Sequence, residues 1–310
     1  MTKIDYSKAE IFVVAHDKGI RQSLKSVLFS KGFRKIQFAD TLDLIIDAIN
    51  LKDMPNLLIT DVDLPNQDCC ELISAIRNKR LSIDPYLPII GMAWNPNKKL
   101  VSKIVNSGFD IFVAKPFSAN QISERIDKIV FGRQPFIVTG DYFGPDRYKD
   151  PSRPSKVPEF DIPNSLKSAA VDGLSKAEFW QEVGQMHNKI YQQRLNQLAV
   201  DIDRIVGLVT PDLETKQINE ETVKNLDRLL ELLKLIRFNI IRNEHKDVAE
   251  LCVPFYRTVD GMLKADGSIV AGEILKLRTM SDEVTAGLYS EVGEDSPYAK
   301  EQNAPTINSA

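Results

Sequence analysis

Leu57-Leu58-Ile59-Thr60-Asp61-Val62-Asp63-Leu64-Pro65 is the stretch that decides the fold. Its first four residues form the short apolar run expected of a strand buried on both faces. The run closes on a carboxylate, Asp61, where a turn begins. Two later runs repeat the pattern. Leu87-Pro88-Ile89-Ile90-Gly91-Met92-Ala93 reads as a second buried strand, and Ile111-Phe112-Val113-Ala114 as a third that ends in Lys115-Pro116-Phe117. Ligands of open parallel α/β sheets bind at the carboxyl ends of the strands. The spacing therefore predicts that Asp61 and Lys115 meet there, although far apart in sequence.

The flanking segments supply the rest of the sheet. Ile11 to Val14 is another apolar run, followed by Asp17-Lys18-Gly19 and by Ile20, Leu24, Val27 and Leu28 at helical spacing up to Gly32. Lys35 to Ala39 reads as a strand, and Asp40-Thr41 as a helix start before Leu44, Ile45, Ala48 and Ile49. Leu72, Ile73 and Ile76 share one helix face, as do Leu100, Val101, Ile104 and Val105. Ser118 opens a last helix with Ile122, Ile126 and Ile129 inward. Strands alternating with helices predict an α/β doubly wound, five-stranded parallel sheet over residues 1–132.

The block from Asp61 through Pro65 to Asp68, Glu71 and Leu72, with Gly108 and Lys115-Pro116-Phe117, resembles the receiver domain of bacterial two-component response regulators. The resemblance covers roughly Lys8 to Phe131. It implies that Asp61 is the phosphoacceptor of a phosphoprotein, that Lys115 contacts the phosphoryl group, and that a sensor histidine kinase or phosphotransfer protein is the donor. It also exposes departures. Receivers carry two adjacent acids after the first strand to help hold Mg²⁺; the aligned residues here are Ala15 and His16, with Asp17 one position late. Mg²⁺ wants hard oxygen ligands in near-octahedral geometry, so its binding is expected to be weak or absent, the nearest candidates being Asp61, Asp63, His16 and Asp17. At the switch positions, Ala93 replaces the usual hydroxyl residue and cannot donate to a phosphoryl group, while Phe112 keeps the aromatic ring. The resemblance thus implies an atypical, pseudo-receiver domain acting by protein-protein interaction. A conventional regulator phosphorylated on Asp61 is the alternative.

Beyond residue 132 the texture changes. Gln134 to Gly140 is apolar enough for a short strand, and Asp141 to Arg147 resembles a tail found after some bacterial receivers. Prolines at 145, 151, 154, 158 and 163 predict an extended linker over 133–174. Residues 175–290 read as an all-α helical bundle. Ser175 and Glu178 make a capping box before a long helix ending at Thr210-Pro211-Asp212. A leucine-rich helix spans about Glu220 to Asn243, a third about Asp247 to Leu263 with a kink or restart at Pro254, and a fourth follows the Asp266-Gly267-Ser268 turn to about Tyr289. The polar residues 291–310 are expected to be disordered. His187, within the first long helix, raises a further alternative, a histidine phosphotransfer protein. The Tyr191-Gln192-Gln193 that follows lacks the small residue a docking receiver needs. His245 sits where a helix dipole favours a cation.

Composition narrows the partners. At 310 residues the chain suits about two domains, and residues 165–310 carry 17 Lys and Arg against 23 Asp and Glu. That acidic balance argues against a nucleic-acid-binding output domain. No apolar run reaches membrane-spanning length and Met1 to Asp5 lacks a signal-peptide core, so a cytoplasmic protein without membrane insertion is expected. Cys69, Cys70 and Cys252 lack disulfide or metal spacing. No phosphate loop, metal cluster or nucleophile elbow is present. The expectation is a non-enzymatic protein with a downstream signalling partner and a homodimer through the C-terminal helices.

Overall fold

The computed structural model describes residues 4–50, 54–78, 84–139, 142–147, 157–240, 246–265 and 271–290. The chain forms two compact units, 1–188 and 189–310. In the first unit the elements run β1 (Glu10–Val14), α1 (Lys18–Lys31), β2 (Lys35–Ala39), α2 (Asp43–Asn50), β3 (Leu57–Asp61), α3 (Cys69–Arg77), β4 (Ile89–Trp94), α4 (Lys98–Ser107), β5 (Ile111–Lys115) and α5 (Ala119–Gly132). The five strands pair in parallel in the order β2-β1-β3-β4-β5. This is the doubly wound sheet expected from the apolar runs.

Side chains alternating along each strand feed two cores. Ile11, Val13, Leu57, Ile59, Ile90 and Met92 pack with Leu24 and Leu28 of α1 and with Ile122, Ile126 and Ile129 of α5. Phe12, Val14, Leu58 and Ile89 pack on the opposite face with Ile45, Ile73, Ile76 and Ile104. Helices α1, α3, α4 and α5 are each started by a side chain that satisfies a free N–H at the first turn. Asp17 accepts from Ile20, Asp68 from Glu71, Asn97 from Leu100, and Ser118 makes a reciprocal box with Gln121. Gly32 ends α1 at φ 109° and Gly108 ends α4 at φ 91°, a left-handed backbone suited to glycine.

The described part of residues 133–174 differs from the extended linker that the prolines suggested. It contains β6 (Phe136–Val138), β7 (Phe143–Pro145) and β8 (Glu159–Phe160), an antiparallel sheet in the order β7-β6-β8. The short helix α6 (Ser165–Lys167) and a π-helical turn over Ser168–Asp172 follow. Leu166 and Ala170 are buried in the α1/α5 core, Ser165 Oγ donates to the Asn56 carbonyl at 3.0 Å, and the Asp5 N–H donates to the Ala170 carbonyl at 2.8 Å. The first unit therefore extends past residue 132. Prolines 151 and 154, which motivated the spacer, lie outside the described residues.

The physical reason for this return is a buried charge cluster at the end of the sheet opposite Asp61. Arg77 is fully buried and donates to the carbonyls of Gly108, Pro85 and Leu87 at 2.7–2.8 Å and to Asp110 Oδ2 at 2.9 Å. Arg133 donates to Asp110 Oδ1 at 2.6 Å, to the Tyr86 carbonyl at 2.6 Å and to the Pro163 carbonyl at 3.0 Å. The ring of Phe136 lies 5.2 Å from both guanidinium carbons, a contact that draws cations to aromatic faces. The two arginines thereby fasten β6 and the approach to α6 onto the sheet.

The second unit contains the later part of α7 (Lys176–Glu214), then α8 (Glu220–Ile240), α9 (Lys246–Lys264) and α10 (Ala271–Ser290). Its core draws Leu198, Ile202, Ile205 and Val209 from α7, Leu226, Leu229, Leu233 and Ile236 from α8, Cys252, Phe255 and Val259 from α9, and Leu277, Val284 and Leu288 from α10. Two proline expectations are corrected. Helix α7 continues through Pro211, and α9 runs through Pro254 without restarting. Pro211 is three positions from the end of α7, so less than one turn of helix follows it. Thr210 Oγ1 donates to the Val206 carbonyl at 2.6 Å, and the Thr215 N–H to that of Pro211 at 3.0 Å. In α9, burial of Cys252, Phe255 and Val259 offsets the missing donor at Pro254. His245, Asp266 to Ser268 and residues 291–310 lie outside the described residues.

Asp110 neutralises two buried guanidiniums, so Asp110→Ala should leave both charges uncompensated and cost about 3–5 kcal/mol. Chemical denaturation of the full chain measures this, and a loss below about 1 kcal/mol would show that the cluster is not holding the strap.

Candidate functional site

The carboxyl ends of the strands bring together Asp61 from β3, Trp94 from β4, Lys115 from β5, and Ala15 and His16 just beyond β1. The register places Asp61 beside Met92 and Trp94 beside Lys115. Asp61 and Lys115 meet as the sequence predicts: Lys115 Nζ donates to Asp61 Oδ1 at 2.7 Å, with both residues at most 3% exposed. The other carboxylate oxygen, Oδ2, accepts the backbone N–H of His16 at 3.3 Å. Burial pushes the Asp61 carboxyl above the ordinary aspartate range, and the hydrogen bond and charge of Lys115 oppose that push.

Trp94 covers the pair from outside. Its ring stands 5.2 Å from the Lys115 ammonium, its backbone N–H donates to Asp63 Oδ2 at 2.9 Å, and it remains 49% exposed. Sequence reading missed this contact of Trp94. The signal was available, since an aromatic at the end of one strand beside a lysine at the end of the next suits a cation–π pair. Ala93 is fully buried and offers only a methyl group, and Phe112 is half-buried.

The predicted metal candidates are dispersed into other roles. Ala15 is buried and apolar. His16 is exposed, its carbonyl accepting from Arg21 Nη1 at 2.9 Å. Asp17 caps α1 through its bond from the Ile20 N–H, and that bond and one from Gly19 hold its carboxyl below the usual range. Asp63 is engaged by the Trp94 N–H, and Asp61 by Lys115 and His16. Among the described residues no group of three or more His, Cys, Asp or Glu is arranged to hold a metal ion. A Mg²⁺ ion needs several hard oxygens converging on one point. The residues present do not fit it.

His187 lies half-buried in the middle of α7. Among the described residues no helix is long and apolar enough to cross a membrane.

Residues 11–127 match the family model described as the response regulator receiver domain. The chain is 25% identical over 121 residues to the chemotaxis protein CheY of Pseudomonas aeruginosa, covering 39% of this chain and 94% of that protein. It is 25% identical over 112 residues to the C4-dicarboxylate transport transcriptional regulatory protein DctD of Rhizobium meliloti, covering 36% of this chain but only 23% of DctD. Among solved structures, the CheY-like receiver domain protein of Methanospirillum hungatei is similar at 23% identity, with 39% and 91% of the two chains covered and a TM-score of 0.35. Residues 11–127 are a response regulator receiver domain of two-component signalling, and the C-terminal extension is assigned to no family.

Lys115→Met should isolate the Asp61 carboxylate and raise its pKa further. A folded-state pKa above the ordinary value of about 3.9 gives stability that is full below that value and lost as pH rises through the folded one. The variant should therefore trail the wild type by about 3–5 kcal/mol near neutral pH, with the gap closing towards pH 4. Denaturation curves across that range check the sign, and a gap independent of pH would place the defect elsewhere.

Proposed function

We propose that this chain is a two-component signalling protein whose receiver domain is impaired in Mg²⁺-dependent phosphorylation and acts mainly by protein–protein interaction. The observation that carries the reading is the state of the Asp61 carboxylate. One oxygen is held by an ammonium, the other by a backbone N–H, and a buried methyl group stands where a metal-binding acid is expected. Phosphoryl transfer to a carboxylate brings two anions together, so it depends on cations placed around the transferred group. Lys115 supplies one such cation. Asp17 is occupied as the cap of α1 and Asp63 by the backbone N–H of Trp94, and Ala93 has no hydroxyl to bond a phosphoryl oxygen.

In this reading the protein is not an enzyme. It docks a sensor histidine kinase or phosphotransfer protein through the receiver and passes information to a downstream partner in the cytoplasm. The C-terminal helices serve interaction or homodimerisation: Leu208, Val223 and Leu275 are large apolar side chains exposed on that unit. The acidic balance of residues 165–310 disfavours duplex DNA as the ligand. The intact 2.7 Å contact between Lys115 and Asp61 favours the competing reading, a conventional regulator phosphorylated on Asp61.

Titrating the full chain with Mg²⁺ while following Trp94 fluorescence separates the two. The expected result is no saturable change up to about 10 mM, because few hard oxygen ligands converge beside the indole. Trp180 contributes a constant background that Trp94→Phe subtracts. Saturation at low millimolar Mg²⁺ would favour the conventional reading.

A further inference from the structure

A cleft of about 200 Å³ opens between the start of β5 and the last turns of α5, lined in part by Ile111, Phe112, Arg125, Lys128, Arg133 and Arg147. It lies on the first unit, at the end of β5 away from Lys115. Among the described residues four cationic side chains line it, and Asp110 is the one acid. This charge stands out on a chain whose formal net charge is −3.

Two of the cations are fixed in place. Arg133 is held by Asp110 and by the carbonyls of Tyr86 and Pro163, and Arg147 donates from Nη2 to the carbonyls of Phe109 and Asp110. Asp110 is in turn occupied by Arg77, Arg133 and the Ile89 N–H. Its single charge is already set against two guanidiniums, Arg77 and Arg133, and does not offset the other three cations of the cleft. The other two cations, Arg125 and Lys128, are exposed and lie one turn apart on α5, a spacing that puts them on a common face. Neither takes part in an ion pair among the described residues. The acids nearest in sequence are engaged elsewhere: Glu124 accepts from Asn120, and Asp127 accepts from Lys31 and Tyr6. Ile111 and Phe112 give the cleft an apolar wall.

We propose that this cleft binds a phosphate-bearing small anion, either inorganic pyrophosphate or the phosphate groups of a nucleotide. Guanidinium groups match phosphate oxygens with paired, charge-assisted hydrogen bonds, and fixing them beforehand lowers the entropy lost on binding. The cleft is smaller than sites enclosing whole drug-sized molecules, so the phosphates are the part it takes in. The site is independent of whether Asp61 is phosphorylated.

Isothermal titration of the full chain with sodium pyrophosphate, and separately with ADP, at physiological salt tests the assignment. One saturable site is expected for at least one probe, weakened by about tenfold or more in Arg125→Ala/Lys128→Ala and unchanged in Lys98→Ala/Lys99→Ala on α4. Both substituted residues of the first variant are exposed, so its melting temperature should stay near that of the wild type. Tighter binding of ADP identifies a nucleotide, and equal or tighter binding of pyrophosphate an inorganic anion. The assignment is overturned by no saturation with either probe up to about 5 mM, or by undiminished affinity in the Arg125/Lys128 variant.

Discussion

Asp110 is the point on which the first unit turns. It carries one charge against two buried guanidiniums and also accepts the Ile89 N–H at the start of β4. Arg77 comes from the end of α3, and Arg133 from the residue just after α5. One carboxylate therefore joins α3, β4, the start of β5 and the strap that leads on to α7. Removing water from so many charges is costly unless each is paired and hydrogen-bonded, and here Arg77 and Arg133 also donate to five carbonyls between them. The strap is consequently an integral part of the unit. Leu166 and Ala170 complete its core on the α1/α5 side.

At the opposite end of the same sheet, a second buried ion pair has a different character. Asp61 and Lys115 are buried, with the Trp94 ring over the ammonium, and among the described residues each carboxylate oxygen accepts a single donor. The fold supplies the geometry of a phosphoryl-accepting site, while the residues around it supply little of the positive charge that such chemistry requires. Ala15, Asp17 and Asp63 each have a structural reason to be where they are: one fills the core, one caps α1 and one holds the end of β4. The domain retains the shape of its family, and its departures from the family pattern fall at Ala15, His16 and Ala93.

Much of this was legible in the sequence because strands buried on both faces announce themselves as apolar runs, and their carboxyl ends dictate where Asp61 and Lys115 meet. The helix start at Ser118 was legible for a similar reason, since a short polar side chain before periodic apolar residues satisfies free N–H groups. The strap was not. Strands of two or three residues carry no periodicity, and their stability comes from Arg77, Asp110 and Arg133, which are far apart in the chain and individually resemble surface charges. The prolines misled for a related reason. Local preference ends a helix at Pro211 or Pro254, but tertiary burial along α7 and α9 outweighs one missing donor.

The central claim is that missing metal ligands, and not a misplaced aspartate, limit chemistry at Asp61. Labelling with acetyl phosphate and Mg²⁺, read by mass spectrometry of the Asp61 peptide with Asp61→Asn as the blank, addresses it directly in wild type and in Ala15→Asp/His16→Asp. The account predicts little phosphoryl-Asp61 in the wild type and a rise of about tenfold or more once the two acids are restored, a change equivalent to about 1.4 kcal/mol in the barrier. Ready labelling of the wild type, or a folded double variant that labels no better, would contradict it.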